Sequence, residues 1–484
     1  MPADPILRTT APPPAPAGAP LPARIRREAS VLVRLAAPIV GGQVAVTGLT
    51  FVDTVMAGRL SATDLAAVAV GASVWAAVSL TVLGVLLAVP PFIAEMDGAG
   101  RHGEVGPFAR QALWLGLGLS AVAVAVVVSA RPLLVALDVR PEMVPLATGY
   151  LRALAWGIPF WSVYLVARFT TEGLGLTRPI LYFGLLGLPV DVLGNWLLMY
   201  GRLGFPRMGA VGCGHATALV WVAQCAAMLV YLARRRRYEP LGLFSRLERP
   251  DPRTLGEILR VGLPSGGSLF VEVSLFAAAA LLLASLGPAV VAGHQVAINF
   301  AALTFMVPLG ISLGIAVRVG QAVGRRDPAG ARFSALVGGG LALACQLVTA
   351  VVMVALPRRI ARVYTADPEV VAIAASLLLL AALFQLSDGV QVSAAGALRG
   401  LKDTRVPMGI VIVAYWLVGM PLGWALTFRT GLGARGMWIG MIAGLTVAAV
   451  LLAGRFARVS SRGLAATSGR GAGPASERAG PYGM

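Results

Sequence analysis

Long apolar runs, separated by short polar stretches, follow one another along most of the chain. A helix that crosses the hydrocarbon core of a bilayer needs about 20 apolar residues, and twelve runs reach that length. Only helices and closed barrels satisfy their backbone hydrogen bonds inside a membrane, and segments of this length are helical. The predicted membrane helices cover residues 31–57, 65–92, 108–130, 147–170, 180–200, 211–233, 262–286, 289–317, 333–356, 370–398, 406–428 and 434–456.

The composition agrees with this pattern and excludes a string of soluble domains. Of the 484 residues, 57% are hydrophobic and only 13% are charged, and the mean hydropathy is +0.79. So few charged side chains cannot cover the surface of a soluble protein of this size. We therefore predict an all-α polytopic membrane protein of twelve helices.

The two ends of the chain differ from its apolar middle. Residues 1–30 are rich in Pro and Ala, and residues 457–484 are rich in Gly, Ser and Arg. Such segments bury too little apolar surface to offset the entropy of ordering, so both are predicted to be disordered tails. The first lacks the apolar centre of a signal peptide, so no cleavage is expected.

The net charge of +18 comes from 40 basic and 22 acidic residues. In a soluble domain this excess would indicate nucleic acid binding, but here the arginines lie mainly between apolar runs, so we expect no nucleic acid partner. The arginines indicate instead which side of the membrane each loop lies on. If both termini are cytoplasmic, that side carries 29 basic residues and the other carries 11. Because basic loops stay in the cytoplasm, both termini are predicted to be cytoplasmic.

The first half of the chain resembles the second half at a shift of about 226 residues. The matched pairs are Pro38 with Pro264, Leu60 with Leu286, Gly84 with Gly310 and Gly98 with Gly324. The repeat predicts an N-lobe at 31–233, a cytoplasmic inter-lobe loop at 234–260 and a C-lobe at 261–456. Six helices are an even number, so the lobes have the same orientation. They are expected to be related by a pseudo-two-fold axis along the membrane normal, with a cavity between them.

Four acidic residues, Asp53, Asp191, Glu272 and Asp388, lie inside predicted membrane helices. Each would cost about 2.5–3.5 kcal/mol if it were ionised and exposed to lipid. No Arg or Lys lies in the middle of a predicted helix to pair with them. We therefore expect them to face a cavity and to interact with a proton, a metal cation or a cationic substrate.

Polar residues recur at helical spacing near these acids, as expected for helix faces that line a cavity. Each stripe on its own could equally join two helices by hydrogen bonds. The stripes are Gln43 with Thr47 near Asp53, Asp191 with Asn195, Ser265 with Ser268 and Glu272, Gln295 with Asn299, and Asp388 with Gln391.

Enzyme signatures are missing from the sequence. It contains no Walker A motif, HExxH motif, GxSxG motif or Cys/His metal cluster. We expect neither an enzyme nor a cofactor. Without a nucleotide-binding domain, transport would be driven by an ion gradient or would be passive.

Four stretches resemble the multidrug and toxic compound extrusion (MATE) transporters, in particular their NorM-type branch. They are 51–61 (FVDTVMAGRLS), 264–276 (PSGGSLFVEVSLF), 293–300 (GHQVAINF) and 388–400 (DGVQVSAAGALRG). The resemblance extends in register over roughly residues 30–456. It implies two six-helix lobes that export cationic, amphipathic compounds across a bacterial inner membrane in exchange for inward H⁺ or Na⁺. One chain would function as a monomer in the lipid bilayer.

The resemblance also implies roles for particular residues. Coupling is assigned to Asp53, Asp191, Asn195, Glu272 and Asp388, and Glu272 and Asp388 would form a sodium site. The substrate would contact Gln43, Thr47, Phe276, Gln295, Asn299 and Gln391. Asp191 stands where the NorM-type branch is expected to have Asn, which leaves the choice between sodium and protons open. Phe384 stands where some relatives have an aromatic hydroxyl.

Two alternatives remain open. A flippase for lipid-linked saccharides has the same superfamily fold, but it would need an arginine-rich cavity to hold a pyrophosphate. A membrane-embedded enzyme would need a clustered nucleophile and base, and a passive channel would more often be a symmetric oligomer. A substrate-dependent ion flux would distinguish an exporter from a channel.

Overall fold

The computed structural model describes residues 20–246 and 248–468, with side chains up to residue 461. Helix α1 already begins at Leu21, so the predicted disorder of residues 21–30 is wrong. The last helix continues to Ser468, so the predicted disorder of residues 457–468 is also wrong. The predicted tails at 1–19 and 469–484 lie outside the described residues.

Among the described residues, the first half of the chain forms nine α-helices. They are α1 (Leu21–Leu60), α2 (Ala62–Leu86), α3 (Val89–Gly98), α4 (His102–Val128), α5 (Arg131–Ala136), α6 (Met143–Ala155), α7 (Ile158–Gly173), α8 (Arg178–Gly194) and α9 (Ala210–Arg234). Helix α8 continues into a π-helical turn at Asn195–Met199. A 3₁₀ helix follows at Arg236–Leu241.

In the described part of the second half there are eight α-helices. They are α10 (Pro252–Ala284), α11 (Pro288–Gly324), α12 (Pro328–Ala355), α13 (Pro357–Tyr364), α14 (Pro368–Gly400), α15 (Arg405–Ile412), α16 (Met420–Phe428) and α17 (Ala434–Ser468). A π-helical turn at Val413–Gly419 joins α15 to α16.

Twelve membrane segments are recovered, as predicted. Within the described residues, eleven helical spans are long and apolar enough to cross a membrane. The twelfth is the predicted segment 147–170, which is divided into α6 and α7 at Trp156 and Gly157. Pro159 explains the break, because proline cannot donate a helical hydrogen bond. Gly157 also packs closely against Ala218 and Trp221 of α9.

Each half has its own hydrophobic core, which confirms the two lobes. One core draws almost all of its buried residues from 39–261, including Phe169 and Trp221. The other draws on 275–456, including Phe384 and Trp438. Helix α1 contributes Leu32 and Ala36 to the second core, because its first half crosses to the other lobe.

The internal symmetry is visible in equivalent contacts within each lobe. Gly41 of α1 packs on the side chain of Leu181, and Gly267 of α10 packs in the same way on Met408. The hydroxyl of Thr177 donates to the carbonyl of Arg34 at 3.5 Å. Its counterpart 227 positions later, Thr404, donates to the carbonyl of Val261 at 2.9 Å.

The contacts between the lobes follow the same symmetry, and each of them includes a glycine residue. Gly84 of α2 meets the backbone of Gly266 in α10, and their counterparts Gly310 and Val40 meet in α11 and α1. Gly98 lies against the carbonyl of Gln321, while Gly324 lies against that of Glu95. Any side chain would separate these backbones. All of these contacts lie in the half of the bundle that contains the start of α1, which we call the terminal end.

A buried ionic network joins the lobes at the terminal end. Arg318 of α11 donates two hydrogen bonds of 2.8 Å to the carboxylate of Glu28 in α1. Ser334 donates to the same carboxylate at 2.7 Å. Gln321 extends the network by donating to Asp97 at 2.9 Å. Because both charges are buried and paired, this network favours the arrangement in which the lobes touch here.

The segment predicted as the loop 234–260 is shorter and more ordered than expected. Asp251 caps the backbone N–H groups of Arg253 and Thr254, so α10 begins at Pro252. Glu248 binds the guanidinium of Arg110 at 2.7 Å. This hydrogen bond holds the pKa of the Glu248 carboxyl below its usual range. These contacts hold the segment against α4.

The glycine contacts predict a specific sensitivity to added volume. Gly84→Ala places a methyl group against the backbone of Gly266, and neither backbone can move without separating the lobes. We expect destabilisation of about 1–3 kcal/mol, measured as a lower melting temperature in detergent. Gly118→Ala is the matched control, because open space surrounds Gly118 in α4. Equal melting temperatures for the two variants would contradict the inter-lobe packing.

The buried Glu28–Arg318 pair predicts that the losses of folding stability in its single and double variants are not additive. Arg318→Met leaves the Glu28 carboxylate buried without its cation, which should cost about 3–5 kcal/mol of folding stability. The double variant Glu28→Leu/Arg318→Met removes both charges and should recover much of that loss. The exposed pair Arg253–Glu257 serves as the control, and its disruption should change stability by less than about 1 kcal/mol. Additive losses in the double-mutant cycle would show that the buried pair is not coupled.

Candidate functional site

A cavity of about 400 Å³ lies between the two lobes. Its wall is mainly apolar, with Leu83, Phe169, Phe276, Phe305 and Phe384 among the larger contributors. The polar residues that line it are Gln43, Arg168, Ser265, Ser268, Glu272, Asp388, Gln391, Arg399, Asp403 and Thr404. A few polar groups in an apolar wall are typical of small-molecule binding cavities.

Two carboxylates face this cavity from the C-lobe. Glu272 follows Ser265 and Ser268 along one face of α10. The hydroxyls of the two serines donate hydrogen bonds of 2.9 Å to carbonyls of the same helix. Asp388 comes from α14 and is buried beside Gln391. The amide oxygen of Gln391 has no hydrogen-bond partner among the described residues. Two acids and an unpaired amide oxygen thus converge on one side of the cavity.

Although no Arg or Lys lies in the middle of a predicted helix, two arginines share the cavity with the acids. Arg168 and Arg399 both line the cavity. Helices α7 and α14 continue beyond the predicted segment ends, to Gly173 and Gly400, so both arginines lie inside a helix. Neither arginine lies within 4.0 Å of the Glu272 or Asp388 carboxylate. Arg168 instead donates to the amide oxygen of Gln43 at 3.2 Å and lies 4.0 Å from Glu172.

A second acidic cluster lies in the core of the N-lobe, outside the lining of the cavity. The side-chain amide of Asn195 donates to Asp53 at 2.7 Å. Asp191 lies within hydrogen-bonding reach of Asp53 and is almost fully buried. The π-helical turn begins at Asn195, and such turns change the direction of side chains. The five predicted coupling residues are therefore divided into two separate groups, one in each lobe.

The six predicted substrate-contact residues are also divided. Gln43, Phe276 and Gln391 line the cavity. Thr47, Gln295 and Asn299 are exposed beyond it, and the amide of Gln295 donates to Asn299 at 3.3 Å. Gln295 lies on the same helix face as the lining residues Ile298 and Ala302. These three residues thus lie on continuations of the cavity wall, away from the terminal end.

Several lining residues were missed by the sequence analysis, namely Phe305, Asp403, Arg168 and Arg399. A signal existed for Arg399, because Gln391, Ala395 and Arg399 follow one another at intervals of four and share a helix face. Asp403 lies in a turn after α14 and is paired with Arg455 at 2.8 Å. Nothing in its local sequence indicates that it borders a cavity.

The inter-lobe contacts described above lie at the terminal end of the bundle, where glycine contacts and the Glu28–Arg318 pair hold the lobes together. The apolar side chains of Phe51 in α1, Phe270 in α10 and Leu303 in α11 are more than half exposed.

Comparison with known families agrees with the duplication. The MatE family model matches twice, at residues 38–197 and 264–425. The two matches begin 226 residues apart, which is the shift found in the sequence repeat. Together they cover more than half of the chain.

Two relatives named as multidrug resistance proteins match over nearly the whole chain. The multidrug resistance protein PmpM of Pseudomonas aeruginosa is 45% identical over 444 residues, which cover 91% of this chain and 93% of that protein. The probable multidrug resistance protein NorM of Shewanella oneidensis is 44% identical over 429 residues, which cover 88% and 93% respectively.

Solved structures share the fold at lower sequence identity. A multidrug resistance MATE family transporter of the MOP superfamily, solved in an outward-facing conformation, has a TM-score of 0.83 and is 22% identical. The alignment covers 90% of this chain and 97% of that one. The eukaryotic MATE transporter AtDTX14 has a TM-score of 0.81 at 17% identity, covering 91% and 98%. With its duplicated lobes, its cavity and these matches, the chain belongs to the MatE family and is an integral membrane transporter.

Proposed function

We propose that this protein is a secondary active multidrug exporter that moves cationic, amphipathic compounds out of the cytoplasm in exchange for inward H⁺ or Na⁺. One observation carries the proposal. Glu272 and Asp388 face a mainly apolar cavity between two lobes, and no arginine of the cavity lies within salt-bridge distance of them. The multidrug resistance names of the relatives at 44–45% identity support it.

Charge and shape of the cavity suit an amphipathic cation. The phenylalanine side chains offer an apolar surface for a hydrophobic body, and the carboxylates offer a counter-charge for a cationic group. Two opposite unit charges 4 Å apart attract each other by about 4 kcal/mol at an effective dielectric constant near 20. Occupation of the same carboxylates by a proton or a sodium ion removes most of that attraction. Substrate and coupling ion therefore compete for one site.

In the proposed cycle, the two lobes move relative to each other at the contacts between them. If both termini are cytoplasmic, as the arginine distribution favours, the terminal end faces the cytoplasm and the cavity is closed on that side. Binding of the coupling ion from outside would release the substrate, and the lobes would then rock apart at the Gly84–Gly266 contact. Discharge of the ion to the cytoplasm would restore the negative charge. Both lobes belong to one chain, so a monomer in the bacterial inner membrane suffices.

Each acidic group is suited to a different coupling ion. Asp53 and Asp191 face each other closely enough to share a proton, because two adjacent carboxylates cannot both remain ionised at low cost. Glu272 and Asp388 offer oxygen ligands of the kind that hard cations prefer. Among the described residues, no group of three His, Cys, Asp or Glu side chains could hold a metal ion. Sodium there would need neutral oxygens as well, and Gln391 supplies one.

A flippase for lipid-linked saccharides fits the cavity less well. A pyrophosphate would need several cations, and Arg168 and Arg399 are accompanied by Glu272, Asp388 and Asp403. Even with Asp403 paired to Arg455, the two guanidinium groups of the lining are matched by the two carboxylates of Glu272 and Asp388. We favour the exporter for this reason.

Neutralising the C-lobe acid should abolish transport without unfolding the protein. Asp388→Asn keeps the shape of the side chain but can neither bind a proton nor hold a cation, so gradient-driven efflux of a fluorescent cation from proteoliposomes should fall at least about 100-fold. Glu257→Gln, on the exposed side of α10, is the control and should transport normally. Wild-type efflux by folded Asp388→Asn protein would exclude the competition mechanism.

Separate gradients should identify the coupling lobe. If sodium alone drives efflux, Glu272→Gln should lose it and Asp191→Asn should retain it, because the acids of the C-lobe then bind the ion. If protons alone drive efflux, Asp191→Asn should be the variant that loses it. The measurement is fluorescent-cation efflux under an imposed sodium or pH gradient. Efflux with neither gradient from folded wild-type protein would contradict the proposed function.

A further inference from the structure

Four helices, α3, α7, α11 and α14, end in the same kind of turn at the terminal end. Each turn has one residue in the left-handed region, whose N–H binds the carbonyl three residues earlier at 2.8–3.1 Å. These residues are Gly100, Gly175, Arg326 and Lys402, with φ values of 72°, 72°, 56° and 58°. The repeat pairs Gly100 with Arg326 and Gly175 with Lys402. The C-lobe thus keeps side chains where glycine is favoured, and it accepts the resulting backbone strain.

The two side chains at these strained positions differ in what they contact. The side chain of Arg326 is exposed and makes no hydrogen bond or ion pair among the described residues. Lys402 is the only lysine of the chain, and it reaches the N-lobe. Its ammonium group forms an ion pair with Glu95 of α3 and lies 4.3 Å from the ring centroid of Phe92. Lys402 therefore makes a contact between the lobes that glycine cannot make.

This ion pair occurs on one side of the pseudo-two-fold axis only. The repeat counterparts of Lys402 and Glu95 are Gly175 and Gln321, which cannot form an ion pair. Gln321 instead donates to Asp97 at 2.9 Å. The turn at Gly175 has the same backbone hydrogen bonds as the turn at Lys402 without any side chain. The lysine is therefore not needed to form the turn, and its contacts serve the interface between the lobes.

The Lys402–Glu95 pair is of a kind that can open and close. The two side chains are 26% and 24% exposed, so water can solvate the charges when they part. Arg101, in the same lobe as Glu95, lies 3.7 Å from its carboxylate. Glu95 thus keeps a cationic neighbour when Lys402 leaves. Separation of a partly exposed pair costs much less than separation of a buried one, which leaves a charge without a partner in the interior.

We propose that Lys402, Glu95 and Phe92 form an ionic lock that holds the lobes together at the terminal end and releases them when the cavity opens there. A lysine ammonium is a compact charge that contacts a carboxylate and a ring face at the same time. Lys402 acts as a positioning residue that sets the ratio of closed to open protein. The inference rests on the proposed function, in which the lobes part at this end, and adds to it the residue that controls their parting.

Glycine substitutions separate the ionic lock from the backbone strain. Lys402→Gly removes the side chain and the strain together, whereas Arg326→Gly removes strain of the same kind without removing a lobe contact. We expect Lys402→Gly to lower the ratio of closed to open protein about 5-fold, because partly exposed ion pairs and cation–π contacts are each weak. Arg326→Gly is the matched control and should leave this ratio unchanged.

The ratio is measured from a distance across the lobe contact. Gly103 of α4 and Gly454 of α17 lie in different lobes at the terminal end, and open space surrounds both. Nitroxide labels attached through Gly103→Cys and Gly454→Cys report the lobe separation by double electron–electron resonance in detergent. The three native cysteines are replaced by alanine for this measurement. The longer distance should gain population in Lys402→Gly at the expense of the shorter one.

A double-mutant cycle tests whether the two charges act together. Lys402→Met keeps the strained turn and an apolar side chain but removes the charge, and Glu95→Gln removes the opposite charge. Each single variant should lower the ratio of closed to open protein. The double variant should lower it no further than Lys402→Met alone, because the interaction is already lost. Additive effects would show that the two side chains act independently, which contradicts the ionic lock.

The outcomes for the ionic lock and for the proposed function are distinguishable. A wild-type distance distribution in folded Lys402→Gly protein overturns the inference, and so does an equal shift in Arg326→Gly. Absence of gradient-driven efflux from the wild type overturns the proposed function, while the label distances still measure the lock. If Lys402→Gly does not fold, Glu95→Gln is labelled instead, and a wild-type distribution in that variant overturns the inference.

Discussion

The cost of an ionised carboxylate in a medium that cannot solvate it governs the arrangement of this molecule. Each acid inside a membrane helix needs a partner, and the two lobes provide different ones. In the N-lobe, Asp53 receives a hydrogen bond from Asn195 and faces Asp191 within a packed core. In the C-lobe, Glu272 and Asp388 face a cavity, where a mobile ion or a cationic substrate can serve. Under the proposed function, transport follows from this requirement, because the partner of the C-lobe acids is exchanged.

In the proposed transport cycle, movement of the lobes depends on a different property, namely close packing at glycine residues. Gly84 against Gly266 and Gly310 against Val40 are equivalent contacts related by the repeat, and both lie in the terminal half of the bundle. Such contacts are tight, yet they interlock few side chains, so two lobes can separate there without unpacking either core. The buried Glu28–Arg318 pair adds a discrete interaction that must break in the same movement. In the proposed cycle, these contacts would serve as the hinge between the two lobes.

Charge in the cavity is less uniform than the sequence indicated. Arg168 and Arg399 lie on the lining together with the acids, Arg168 bound to Gln43 and Arg399 in the last turn of α14. Positive groups on the lining oppose the negative ones, so a bound compound experiences a field with a direction rather than a simple negative charge. For a substrate of the proposed cationic class, the position of the charged group within the cavity would therefore matter as much as its presence.

The amino-acid sequence was enough to predict the membrane class, the twelve segments, the duplication and the acids of both lobes. These features depend on hydropathy, on spacing along one helix and on self-similarity, all of which can be read along the chain. The three-dimensional packing was needed to show that Asp53 meets Asn195 while Glu272 and Asp388 line the cavity, because those groupings join helices far apart in the chain. It also corrected the start of α1, the break at Gly157 and the location of Arg168 and Arg399. Helix ends and inward-facing directions are set by packing against other helices, which a single apolar run does not record.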